Sequence, residues 1–97
     1  MDARMDPELR AAIERAAAVL KNLGAREVYV FGSAATGTMR EGSDVDLAVS
    51  GLPDGLFFRA MADAGDALGR ELDMIDLDDD NPFTRYLKEE GELQRVA

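Results

Sequence analysis

The stretch Val28-Tyr29-Val30-Phe31-Gly32-Ser33-Ala34-Ala35-Thr36-Gly37, with Gly42-Ser43-Asp44-Val45-Asp46-Leu47-Ala48-Val49 after it, decides how this chain folds. An apolar run breaks at a glycine-serine turn. With ten residues between, Ser33 is followed by a second apolar run that carries two carboxylates at alternate positions. Side chains alternate between the faces of a strand, so Asp44 and Asp46 share one face while Val45, Leu47 and Val49 take the other, the natural core face. Taken alone, Asp-x-Asp fits a solvent-facing strand edge as well as a metal site. Here the glycine-serine turn ends one strand and the aspartates open the next, which favours the metal. Gly32 offers backbone N–H groups with no side chain between them and a phosphate, and Ser33 adds a hydroxyl donor. The two runs together predict a site for a metal-bound nucleoside triphosphate.

Working outward, Asp6-Pro7 reads as an N-cap followed by proline at the first helical position. Leu9, Ile13, Ala16, Ala17, Leu20 and Leu23 then recur at helical spacing until Gly24, an amphipathic helix of about four turns. Glu27 to Phe31 follows as a strand. From Ala34 to Gly42 the small residues predict a short helical turn and then a mobile crossing loop, and Asp44 to Ser50 is the second strand. Gly51-Leu52-Pro53-Asp54-Gly55 is a turn, with Asp54 expected to cap a helix through Leu68 that offers Phe57, Phe58, Met61, Ala64 and Leu68. Glu71 to Leu77 reads as a third strand. Asn81-Pro82 opens a last helix that presents Phe83, Tyr86 and Leu87 and ends at Gly91, and Leu93 to Val96 is a short strand or a frayed tail. The strand-helix-strand passage from Asp44 to Leu77 implies parallel neighbours joined by a right-handed crossover, and the shorter link from Phe31 to Asp44 permits an antiparallel pair. The fold class is therefore α/β (α+β), a small mixed sheet with helices packed on it, in a single domain over residues 1–97.

Composition narrows the chemistry. With no cysteine and no histidine, metal ligands must be oxygens, which favours Mg²⁺ or Mn²⁺ over zinc. Twenty acidic against eleven basic residues give a net charge of −9, which argues against direct nucleic-acid binding through phosphates. There is no apolar run long enough to span a membrane and no signal-peptide pattern at the N-terminus, so a cytoplasmic location is expected.

Phe31-Gly32-Ser33, ten residues, then Asp44-Val45-Asp46-Leu47 resembles the signature of the DNA polymerase β superfamily of nucleotidyltransferases. The short length is similar to that of its minimal members, the MNT group, and the resemblance runs from about Val28 to Leu77. It implies the nucleotidyltransferase fold and the transfer of a nucleoside monophosphate to a hydroxyl with loss of pyrophosphate. Negative charge then builds on the attacking and leaving oxygens, and two metal ions about 3.5–4 Å apart would meet it. By the same resemblance Gly32 and Ser33 receive the β and γ phosphates, and Asp44 and Asp46 are joined by a third carboxylate on a later strand. Leu72-Asp73-Met74-Ile75-Asp76-Leu77 offers two candidates. Alignment with the family pattern gives the role to Asp73, and alternation sends Asp76 to the opposite face. Asp78-Asp79-Asp80 reads as a solvated turn.

Many MNT proteins are paired with a small helical HEPN protein, a toxin RNase, whose tyrosine receives AMP from ATP. The resemblance thus implies ATP as substrate, a HEPN-type partner and an antitoxin role. A nucleotidyltransferase acting on a small molecule such as an aminoglycoside is the alternative. A non-catalytic partner-binding module is a third, against which the intact carboxylates argue.

Overall fold

The computed structural model describes residues 6–36, 44–90 and 93–97. Helix α1, Pro7–Asn22, begins where the Asp6 carboxylate accepts the Leu9 N–H at 3.3 Å, and it buries Leu9, Ala12, Ile13, Ala16, Ala17 and Leu20 along one side. Strand β1, Glu27–Phe31, leads through Gly32 into a single helical turn, α2, Ser33–Thr36. The expected loop that follows, with Arg40 in it, falls on residues 37–43, outside the described ones. Strand β2 is Val45–Ser50, so Asp44 stands one residue before it.

Helix α3, Phe57–Leu68, departs from the expected N-terminus. Its N-cap is Leu56, without a side-chain hydrogen bond, and Asp54 does not cap it. Pro53 to Leu56 closes a turn of its own, in which the Leu56 N–H donates to the Pro53 carbonyl at 3.2 Å and Gly55 takes a φ of +84°. Asp54 lies inside that turn, two residues too early to reach the first helical amides. Of the expected stripe, Ala64 and Leu68 are buried and Phe57 and Met61 pack half-buried against the core, but Phe58 is exposed and Ala60 joins the buried face. Strand β3, Leu72–Asp76, precedes helix α4, Pro82–Glu90. Asn81 and Thr84 cap α4 reciprocally, the Thr84 N–H donating to Asn81 Oδ1 at 2.9 Å and the Asn81 N–H to Thr84 Oγ1 at 3.1 Å. The proposed helix stop at Gly91 lies outside the described residues. A two-residue strand β4, Gln94–Arg95, closes the chain.

The sheet has the order β3-β2-β1-β4. β1 runs antiparallel to both β2 and β4, and β2 runs parallel to β3, so the sheet is mixed as the connection lengths require. On one face Val28, Val30, Val45, Leu47, Val49 and Met74 pack under α1 and α3. Fully buried Ile13, Leu20 and Leu47 contribute roughly 1.5–3 kcal/mol each to that core. The other face carries a smaller apolar cluster of Phe31, Ala48, Leu77 and Leu87, the last from α4. Because α4 covers only part of this face, one end of it is left to polar side chains.

Candidate functional site

Strand pairing lines up Phe31, Asp46 and Asp73 in one row across β1, β2 and β3. Asp46 is the Cα partner of Phe31 on one side and of Asp73 on the other. All three project to the face opposite the valine-rich core. Asp46 is half-buried, whereas Asp44 and Asp73 are exposed. Asp76 pairs with Val49 on the core face, and its Oδ1 accepts the Asp78 N–H at 2.9 Å, a turn contact that ties it to the β3–α4 connection. Of the two aspartates in β3, the register brings only Asp73 beside Asp46.

Gly32 closes the row from below. Its φ of +69° lies in the left-handed region, and a β-carbon at that position would collide with Asp46 Oδ2. Two requirements therefore exclude a side chain here: the backbone turn, and the carboxylate standing against it. The Gly32 carbonyl accepts the Ala35 N–H at 3.1 Å, which turns the chain directly into α2 with Ser33 as its first residue. Gly32 and Ser33 thus sit at the end of β1, next to Asp46.

The electrostatics follow from crowding. Burial raises the Asp46 carboxyl above its ordinary range, and the charges of Asp73 and Asp44 raise it further. Among the described residues no three acidic side chains stand close enough to enclose an ion by themselves. Asp46 is anchored in the sheet with Asp73 as its neighbour on β3, and Asp44, two residues earlier, is near enough for its charge to be felt there. The donor set is all oxygen and its mutual repulsion is relieved by a cation, so the residues present suit a hard divalent ion such as Mg²⁺ or Mn²⁺.

The other acidic residues nearby have structural partners. Asp78 Oδ2 accepts the Gly51 N–H at 2.7 Å, and Asp80 holds Arg85 through contacts of 2.7 and 3.1 Å. A cavity of about 480 Å³ opens at the far end of the same face, between Glu27, Ser50, Asp78 and Lys88. It contains none of the three candidate carboxylates. Sequence reasoning took Phe83 only as part of the α4 face. In the fold its ring meets Phe31 edge-on, at the border of the row, a neighbourhood that no sequence spacing encodes.

The family described as polymerase beta nucleotidyltransferase matches residues 14–93. Among solved structures, one described as a minimal nucleotidyltransferase is 34% identical, with a TM-score of 0.67 over 87% of this chain and 90% of that one. A toxin–antitoxin structure with AMP-PNP is 21% identical, with a TM-score of 0.70 over 87% of this chain and 72% of that one. A tri-AMPylated Shewanella oneidensis HEPN toxin in complex with its MNT antitoxin gives 16% identity and a TM-score of 0.64, over 89% and 69% of the two chains. At those identities the last two establish likeness of fold. A search of curated proteins finds no match.

Proposed function

As the chain belongs to the polymerase β family of nucleotidyltransferases, in its minimal form, we propose that it transfers AMP from ATP to a tyrosine hydroxyl of a HEPN-type partner and so acts as an antitoxin. The observation that carries the site is the register of β2 on β3, which sets Asp73 beside Asp46 against the side-chain-free Gly32. The acceptor and the nucleotide are suggested by relatives in fold: one contains AMP-PNP, and another contains an AMPylated HEPN toxin.

Each residue then has a task. Gly32 and Ser33 receive the β and γ phosphates through backbone N–H and hydroxyl donors. Asp44, Asp46 and Asp73 would hold the divalent ion, which supplies the positive charge that meets the oxyanions formed as phosphorus is attacked. Asp44 and Asp73 are exposed and free to rotate onto it, while Asp46 is fixed in the sheet. Asp73, on the edge strand β3, accepts the proton of the incoming hydroxyl in this reading. The oxygen of that hydroxyl bonds to the α-phosphorus, the bond from the α-phosphorus to the bridging oxygen breaks, and pyrophosphate departs on the Gly32 side. The net charge of −9 favours an acceptor whose own surface carries the complementary charge.

The test is to incubate the purified chain with a HEPN-type partner, labelled ATP and Mg²⁺, and to map the product by mass spectrometry. AMP on a partner tyrosine is expected, and absent from the Asp44→Asn/Asp46→Asn double variant. An unmodified partner, with ATP binding by the wild type shown separately, would reject protein AMPylation in favour of a small-molecule acceptor.

A further inference from the structure

Phe83 lies in the first turn of α4, and its ring packs edge-on against Phe31 with centroids 6.2 Å apart and an interplanar angle of 64°. Phe31 is the Cα partner of Asp46 and the residue immediately before Gly32. The Phe83 ring thus stands at the border of the carboxylate row, on the β1 side, yet it remains 49% exposed. A phenylalanine whose only task was to cover Phe31 would gain by burying the rest of its surface.

Direction decides what that open ring meets. In an in-line displacement the attacking and leaving oxygens lie on opposite sides of phosphorus. With the leaving pyrophosphate at Gly32 and Ser33 and the proton acceptor Asp73 on β3, the line of attack runs across the strands. The acceptor then enters from the β3 side, away from Phe83. The ribose and base hang from the α-phosphate to the side of this line, and among the described residues Phe83 is an exposed ring that reaches the row, through its contact with Phe31. Building on the transferase reading, we propose that Phe83 is the stacking platform for the nucleobase of the triphosphate and sets a preference for purines. Stacking on one aromatic side chain changes a dissociation constant by about tenfold or more, and a purine presents the larger π-face. Base selectivity thereby comes from one residue of α4.

Tripolyphosphate carries the phosphates without the base, which separates this role from the rest of the site. Binding of ATP, CTP and tripolyphosphate, each with Mg²⁺, is measured by calorimetry for the wild type, Phe83→Leu and Phe83→Trp. Leucine keeps apolar cover over Phe31 but has no π-face. Phe83→Leu should weaken ATP binding by about tenfold, shrink the preference for ATP over CTP, and leave tripolyphosphate unchanged, while Phe83→Trp should restore ATP binding. Unchanged ATP affinity in Phe83→Leu would overturn the inference and leave the transferase reading standing. So would an equal loss for ATP and tripolyphosphate, which is the signature of a purely structural role. A wild type that binds neither ligand would overturn both.

Discussion

Asp46 is the residue where stability and the proposed function oppose each other. It is half-buried in the sheet, and burial, with help from Asp73 and Asp44, raises its carboxyl above the ordinary range. The folded chain therefore holds the Asp46 proton more tightly than the unfolded chain does. By linkage its contribution is most favourable below the unfolded value, near pH 4, and is lost as pH rises through the higher folded value. At pH 7 the ionised group is a net cost, retained at a position where a cation would relieve it. Asp46→Asn should consequently melt a few degrees higher than wild type in metal-free buffer at pH 7, with the gain shrinking toward pH 4. The same variant should lose Mg²⁺-dependent ATP binding. Scanning fluorimetry across pH, with calorimetry for the nucleotide, checks both halves. A variant less stable than wild type at pH 7 would show that the carboxylate is compensated locally after all.

At the scale of elements, the parallel register of β2 on β3 distinguishes Asp73 from Asp76. Asp73 faces Asp46, whereas Asp76 faces Val49 and accepts the Asp78 N–H, a bond that an asparagine oxygen can also accept. Asp73→Asn should then leave ATP binding largely intact and slow AMP transfer by roughly 10²–10⁴-fold, the usual worth of a positioned proton acceptor, while Asp76→Asn should stay near wild-type rate in the same radiolabel assay. Equal losses would place both side chains in one pocket, against the observed pairing. This distinction was legible in the sequence because a period of two fixes the face of every strand residue once one is known. The same holds for the antiparallel β1–β2 pair and for α1, whose cap and stripe are local patterns. Less legible was α3, since Phe57 and Phe58 invite burial by composition. The fold instead turns Ala60 and Ala64 inward, toward the Ala12, Ala16 and Ala17 side of α1, and small residues on both helices leave no room for a phenylalanine such as Phe58 between them. The Asp54 cap failed for a similar reason, because a self-closing turn took the residue first. Gly32 was legible as a glycine turn, but its contact with Asp46, like that of Phe83 with Phe31, exists only through tertiary packing.

For the whole molecule, 97 residues and a core built largely of alanine and valine leave a modest margin of stability, and a net charge of −9 reduces it further by self-repulsion. The candidate site draws on the end of β1, the start of α2, and strands β2 and β3, so a ligand seated there ties together segments that the two halves of the chain contribute. A ligand that binds only the folded state stabilises it by about 2.7 kcal/mol at a hundredfold excess over its dissociation constant. For a domain of this size each kcal/mol moves the melting temperature by roughly 4–8 °C. Mg²⁺ with AMP-PNP, measured with no acceptor present, should therefore raise the melting temperature by about 10–20 °C at that excess. Mg²⁺ alone should give a smaller rise by neutralising Asp44, Asp46 and Asp73, and AMP-PNP with EDTA should give almost none, because the triphosphate then meets three uncompensated carboxylates. Thermal melts over these three conditions, repeated on Gly32→Ala, locate the effect. A β-carbon at Gly32 strains the turn and pushes on the Asp46 carboxylate, so the variant should melt lower unliganded and lose most of the ligand-induced rise. A full rise in EDTA would mean that the nucleotide is held without the carboxylates, and the row across β1, β2 and β3 would then not be the site.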